Sequence, residues 1–123
     1  MPARQKILIV DDSVANLQLL GETLEADYDV QFASSGAEAL RLLESSLPDL
    51  FILDVMMDGM DGFELCRHIR QDLNLRSLPV ILLTSMTGVK DIINGLNAGA
   101  DNYVTKPFDS AMLLARVQDA LYR

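Results

Sequence analysis

The chain has 123 residues, half of them hydrophobic, and a formal net charge of −8 at pH 7. This length accommodates one core, so we expect residues 1–123 to form a single domain. The acidic balance disfavours binding to nucleic acid or to an anionic membrane, because both need basic side chains that displace counterions. Without a long apolar stretch or an apolar leader block, the sequence favours a cytoplasmic protein. The single cysteine, Cys66, excludes an internal disulfide framework, and we expect it to be a buried or half-buried apolar residue.

Short apolar runs alternate with longer helical patterns along the chain. The runs predict five strands, at residues 7–10, 28–33, 50–53, 80–83 and 103–104. The second run alternates apolar and polar residues, which is typical of an edge strand, whereas the third and fourth are continuously apolar.

The gaps between these runs carry apolar residues at helical spacing and predict five helices. Ser35 followed by Glu38 is typical of a capping box at the start of the second helix, and Asp109 is a suitable N-cap for the fifth. The fourth helix is weak in composition, with Gly88 near its start and Gly95 inside it.

Five strand–helix units with right-handed crossovers predict an α/β, flavodoxin-like, doubly wound (βα)5 fold of three layers, with a parallel sheet in the order 2-1-3-4-5. Parallel strands end at the same edge of the sheet, and here each strand except the second is followed or closed by reactive polar residues. These residues are Asp11 and Asp12, Asp54, Thr84, and Lys106. We therefore expect them to share one cleft.

Three neighbouring carboxylates at neutral pH repel one another, and a bound cation removes that repulsion. Oxygen ligands without His or Cys favour a hard ion such as Mg²⁺, with Mn²⁺ as a substitute. Lys106 and Thr84 add a positive charge and a hydroxyl, which suits a phosphoryl group. Asp54 would then be either a metal ligand or the nucleophile that forms an aspartyl phosphate. No glycine-rich phosphate loop follows the first strand, so the phosphoryl donor is expected to be small or another protein.

Four segments together resemble the receiver domains of two-component response regulators. They are Asp11-Asp12, Asp54-Val55-Met56-Met57 with Met60-Asp61-Gly62, Leu83-Thr84-Ser85, and the run from Gly99 to Phe108. The resemblance implies that Asp54 is the phosphoacceptor, taking phosphate from a sensor histidine kinase or a histidine phosphotransfer protein. It also implies that Asp12, Asp54 and the backbone carbonyl of Met56 bind Mg²⁺ directly, and that Asp11 does so through water.

The resemblance further implies a switch. Lys106 would contact the phosphoryl oxygens and Thr84 would follow them, drawing Tyr103 from an outward to an inward position. Pro107 would follow a cis peptide bond. The face formed by helix 4, strand 5 and helix 5 would then control an output domain or a downstream protein, or support a homodimer.

Three positions qualify this interpretation. Family members usually carry proline where this chain has Asp58, which is either a solvent-facing turn residue or a group that shifts Mg²⁺ affinity or donor preference. Met56 and Met86 offer no group to orient a water, so we expect slow self-dephosphorylation by an autocatalytic phosphoacceptor that is not a turnover enzyme.

The alternatives are a pseudo-receiver that works without phosphate, and a haloacid-dehalogenase-type phosphatase, which would need an aspartate where Met56 stands.

Overall fold

The computed structural model describes residues 4–85 and 88–122. Five parallel strands form one sheet, and helices connect them along the chain. The strands are β1 (Lys6–Val10), β2 (Asp29–Ala33), β3 (Leu50–Asp54), β4 (Val80–Thr84) and β5 (Asn102–Thr105), and the helices are α1 (Val14–Leu24), α2 (Gly36–Leu43), α3 (Gly62–Gln71), α4 (Val89–Ala98) and α5 (Ser110–Leu121).

The strand order is β2-β1-β3-β4-β5, and every pair is parallel, which confirms the predicted topology. The register brings the strand ends level, since Val10 lies opposite Leu53 and Thr84 lies opposite Thr105. Strand β2 pairs on one side only and exposes Asp29, as expected of an edge. It begins one residue later than predicted, because the amide of Tyr28 donates to the carbonyl of Leu24 at the end of α1.

Alternate residues of each strand point to opposite faces, so the sheet separates two apolar cores. On one face Ile7 and Ile9 pack with residues of α1 and α5, and on the other Leu8 and Val10 pack with residues of α2, α3 and α4. Strands β3 and β4 are buried along their whole length, which explains their uninterrupted apolar sequences. Cys66 is fully buried in the second core, as predicted, and burial raises the pKa of its thiol to about 11.

Side-chain caps define where most helices begin. Ser13, Ser35, Asp61 and Asp109 each accept a hydrogen bond from the backbone amide three residues later, at the start of α1, α2, α3 and α5. The predicted caps at Ser35 and Asp109 are therefore confirmed. The Glu38 carboxylate accepts from the amide of Ser34, one residue before the expected donor of a capping box. Within residues 4–85 and 88–122, no helix is both long and apolar enough to cross a bilayer.

Candidate functional site

The strand-end polar residues meet at the carboxyl edge of the sheet, as the sequence predicts. Asp54 ends β3, Thr84 ends β4, and Asp11 and Lys106 directly follow β1 and β5. The Lys106 ammonium lies 2.8 Å from the Asp54 carboxylate and 3.4 Å from that of Asp11. The amide of Lys106 also donates to the carbonyl of Thr84 at 2.8 Å. The fold therefore joins groups that stand 52 and 95 positions apart in the sequence.

Three carboxylates form the acidic part of this cleft. Carboxylate oxygens of Asp11, Asp12 and Asp54 all lie within 4.8 Å of one another. Asp11 and Asp54 are 0% and 2% exposed, whereas Asp12 is exposed. The Asp11 carboxylate accepts a hydrogen bond of 2.9 Å from the amide of Ser13, the residue that caps α1. This bond fixes Asp11 between the end of β1 and the start of the helix.

Burial and mutual repulsion set the electrostatics of the cleft. Burial, together with the nearby charge of Asp11, raises the pKa of Asp54 even though Lys106 opposes the shift. Burial alone would lower the pKa of Lys106, but its hydrogen bond to Asp54 and the charges of both buried aspartates outweigh that effect and raise it. Lys106 therefore stays cationic, and further positive charge near Asp54 would favour the ionised form of that carboxylate.

The donor chemistry fits a hard divalent cation. One lysine faces three carboxylates, so two negative charges stay uncompensated when all three are ionised. The donors that the cluster offers are carboxylate oxygens, which Mg²⁺ prefers. Asp11, Asp12 and Asp54 would hold such an ion at the edge of the sheet. Met56 lies beside them, with its amide 3.4 Å from the Asp54 carboxylate; the role of its carbonyl as a ligand stays a prediction.

Gly62 packs against the backbone of Asp54, a role that was not predicted from the sequence. Its amide donates to the carbonyl of Val55 at 3.1 Å. A Cβ at this position would lie 2.4 Å from the carbonyl oxygen of Asp54. The start of α3 thus packs directly on the end of β3, and a residue without a side chain is required there. The sequence signal was the Asp61-Gly62 pair, in which Asp61 caps α3.

The predicted switch residues lie next to the cleft and below α4. Thr84 is buried, while Tyr103 on β5 is 37% exposed. Both line a cavity of about 20 Å³, together with Leu82 and Gly95. This cavity lies between the end of β4 and the underside of α4.

The remaining predicted features fall as follows. The peptide bond between Lys106 and Pro107 is cis, as the resemblance implied. Asp58 is exposed in the loop between β3 and α3, beside Gly59, which has a positive φ of 75°. Met56 is 57% exposed at the mouth of the cleft, whereas Met86 lies outside the described residues.

Comparisons with known proteins agree with this geometry. The model of the response regulator receiver domain family matches residues 7–118. Response regulator PleD from Caulobacter vibrioides is 47% identical over 114 residues, which cover 92% of this chain and 25% of that protein. The DNA-binding transcriptional regulator RpaA from Synechocystis is 43% identical, over 96% of this chain and 49% of that protein. The chain thus spans between a quarter and about half of the length of these curated relatives.

Solved structures show the same fold. Chemotaxis protein CheY4 of Vibrio cholerae superposes with a TM-score of 0.92 at 35% identity, covering 97% of this chain and 100% of that one. The receiver domain of a signal transduction histidine kinase from Syntrophus aciditrophicus gives a TM-score of 0.89 at 40% identity, covering 95% and 89%. With its strand-end carboxylates and lysine in one cleft, the chain belongs to the family of response regulator receiver domains.

Proposed function

We propose that this domain is a phosphorylation switch in which Asp54 accepts a phosphoryl group from a phosphohistidine. The observation that carries the proposal is the buried Asp54 carboxylate, 2.8 Å from the Lys106 ammonium and beside two further carboxylates. A nucleophile that must form an acyl phosphate needs such positive charge close to the transferred oxygens.

The proposed reaction conserves atoms and charge. An Asp54 carboxylate oxygen forms a bond to phosphorus as the P–N bond of the donor phosphohistidine breaks, and the leaving imidazole takes up a proton. Lys106 neutralises charge on the phosphoryl oxygens and so favours transfer and retention of the group. Mg²⁺, or Mn²⁺ in its place, would be held by Asp11, Asp12, Asp54 and the Met56 carbonyl and would supply further charge neutralisation.

The proposed readout runs from Thr84 to the surface. Thr84 ends β4 in the cleft, and Tyr103 stands partly exposed on the neighbouring strand. Thr84 and Tyr103 line one small cavity of about 20 Å³, so an inward turn of the tyrosine ring, as the Thr84 hydroxyl follows the phosphoryl oxygens, would displace neighbouring side chains. Such a movement would change the face formed by α4, β5 and α5, where Val89 and Ile93 are exposed, and so alter contact with an output domain, a downstream protein or a second copy.

We also propose that the phosphorylated form decays slowly and that the domain does not act as a turnover enzyme. The exposed Met56 side chain lies beside the phosphoacceptor and carries no group that would orient an attacking water. Storage of the phosphoryl group, rather than its turnover, is the expected outcome.

Incubation with acetyl phosphate and Mg²⁺, followed by intact-mass measurement, tests this function. We expect the wild type to gain the mass of one phosphate, and Asp54→Ala to gain none. Asp27→Ala, which removes an exposed aspartate outside the cleft, is the matched control and should behave as the wild type. A wild type that is folded but gains no mass would favour the pseudo-receiver alternative, and a gain that persists in Asp54→Ala would place the phosphate elsewhere.

A further inference from the structure

Helix α4 begins without a side-chain cap, unlike the other helices of the described chain. Its N-cap is Gly88, which offers no side-chain acceptor, whereas α1, α2, α3 and α5 begin with capping serine or aspartate side chains. Hydrogen-bonding amides at a helix start are left to solvent when no cap accepts from them. Gly88 therefore holds this end through its backbone only, with its carbonyl accepting from the amides of Asp91 and Ile92 at 3.1 Å.

The C-terminal end of α4 is closed by backbone hydrogen bonds. Gly99 adopts a left-handed conformation with φ of 98°, and its amide donates to the carbonyl of Leu96 at 3.0 Å. The amide of Ala100 donates to the carbonyl of Gly95 at 3.1 Å. This is the pattern of a Schellman motif, which satisfies the last carbonyls of a helix.

Arg70 of α3 ties this closed end to the rest of the domain. Its Nε donates to the carbonyl of Gly99 at 2.7 Å, and one Nη donates to the carbonyl of Leu78 at 2.6 Å. Its other Nη donates to the Asp101 carboxylate at 2.8 Å, and the same carboxylate oxygen accepts from the amide of Val80 at 2.8 Å. One side chain thus joins α3, the start of β4, the end of α4 and the start of β5.

The fit between Arg70 and Gly99 is close. A Cβ on Gly99 would lie 2.6 Å from Cγ of Arg70, so the arginine stem packs directly on the glycine backbone. The planar guanidinium satisfies carbonyl and carboxylate acceptors in fixed directions, which a flexible ammonium would not reproduce. We refer to Arg70, Gly99 and Asp101 as the Arg70 clamp.

The space for movement lies on the cleft side of α4. The cavity beneath this helix is lined by Ile92, Gly95 and Leu96 of α4, and by Thr84 at the end of β4. Gly95 leaves the helix close to the sheet, since a Cβ there would be 3.0 Å from Cδ1 of Leu82. The cavity runs beneath most of the helix, from Asp91 to Leu96, so the two ends of α4 differ in how they are held: the start has no side-chain cap and the end is clamped.

We propose that the Arg70 clamp is a fixed pivot for α4, so that a change at Thr84 moves the N-terminal half of the helix while its C-terminal end stays in place. This regulation rests on the proposed function, because it requires a phosphoryl group in the cleft to act on Thr84. Arg70 is a positioning residue in this scheme and does not contact the reacting atoms.

Hydrogen exchange with and without beryllium trifluoride and Mg²⁺, a stable phosphoryl mimic, tests the pivot. For the wild type we expect exchange to change by about tenfold in residues 88–94 and by less than about twofold in residues 96–101. In Arg70→Gln the change should spread to residues 96–101, and Asp101→Asn serves as a second variant that keeps the shape of the clamp but removes its charge. Arg67→Gln, on an exposed position of the same helix, is the matched control and should retain the wild-type pattern.

The outcomes separate the pivot from the function on which it rests. Equal changes in both halves of wild-type α4, or a change that stays confined to residues 88–94 in both clamp variants, would overturn the pivot while leaving phosphorylation intact. If Arg70 had only a structural role, Arg70→Gln would raise hydrogen exchange throughout the domain, but the mimic would still change exchange only in residues 88–94, and the pivot would be overturned. Failure of the wild type to gain phosphate mass from acetyl phosphate would instead remove the proposed function, and the pivot with it.

Discussion

Replacement of Gly62 by alanine should disturb Asp54, the proposed phosphoacceptor, through its backbone. The added Cβ would lie 2.4 Å from the carbonyl oxygen of Asp54 and 2.9 Å from Cα of Val55. These are main-chain atoms in the buried central strand, so no side-chain rotation relieves the contact. To reach even 3.0 Å, the start of α3 and the end of β3 must separate by about 0.6 Å.

The expected magnitude follows from two opposing effects. Overpacking of a rigid site costs about 3 kcal/mol at the upper end of its range, while alanine in place of helical glycine recovers about 1 kcal/mol. The free energy of unfolding should therefore fall by about 2 kcal/mol. A displacement of this size would also lengthen the 2.8 Å contact between Lys106 and Asp54, and phosphorylation should slow by about 10-fold to 100-fold.

The assay compares urea unfolding and the rate of mass gain from acetyl phosphate for the wild type, Gly62→Ala and Gly59→Ala. Gly59 is the matched control because it lies three residues earlier, in the loop that leads to α3, with no heavy atom within 4 Å of its Cβ position. Its positive φ of 75° should cost the alanine variant about 1 kcal/mol of stability, with no effect on the phosphorylation rate. The reasoning is refuted if Gly62→Ala phosphorylates as fast as the wild type, or if both variants slow equally.

Three further results are expected. Asp109→Ala should lower the free energy of unfolding by about 1 kcal/mol, because the carboxylate no longer accepts from the amide of Met112 at the start of α5; an unchanged urea midpoint would contradict the cap. Burial raises the pKa of Cys66 from 9.0 to about 11, so its stabilising contribution is fully present below pH 9 and is lost as the pH rises through about 11. Unfolding measured across that range should show the wild type losing stability relative to Cys66→Ala, and a constant difference would argue against the shift. Met56→Asn should speed phosphate loss about tenfold by orienting a water at the cleft, and an unchanged decay rate in intact-mass time courses would exclude this role.

Periodicity made most of the fold predictable. The continuous apolar runs of β3 and β4 match their complete burial, and the alternation of β2 matches its edge position. The helix caps were equally predictable, because the Ser35 and Asp109 side chains accept hydrogen bonds from amides only three residues later in the chain. The predicted start of β2 was wrong by one residue, because the Tyr28 amide donates a hydrogen bond to the Leu24 carbonyl at the end of α1 and is not available for strand pairing.

The candidate site was predictable because the strand order determines which strand ends lie side by side. Once the order 2-1-3-4-5 is inferred, Asp11 and Asp54 must be neighbours and Lys106 must reach the same edge of the sheet. The distances confirm that convergence. The separate roles of these residues, which came from the family resemblance, stay predictions for the phosphorylation and exchange experiments.

Residue type and spacing by themselves determined the strand ends, the helix caps and the acidic cleft, because each depends on short-range geometry or on the common direction of parallel strands. Only the tertiary structure decided that Gly62 must lack a side chain, that Arg70 joins four segments, and that Gly95 covers a cavity beneath α4. These features depend on distances between atoms far apart in the chain, and packing of the whole domain sets those distances.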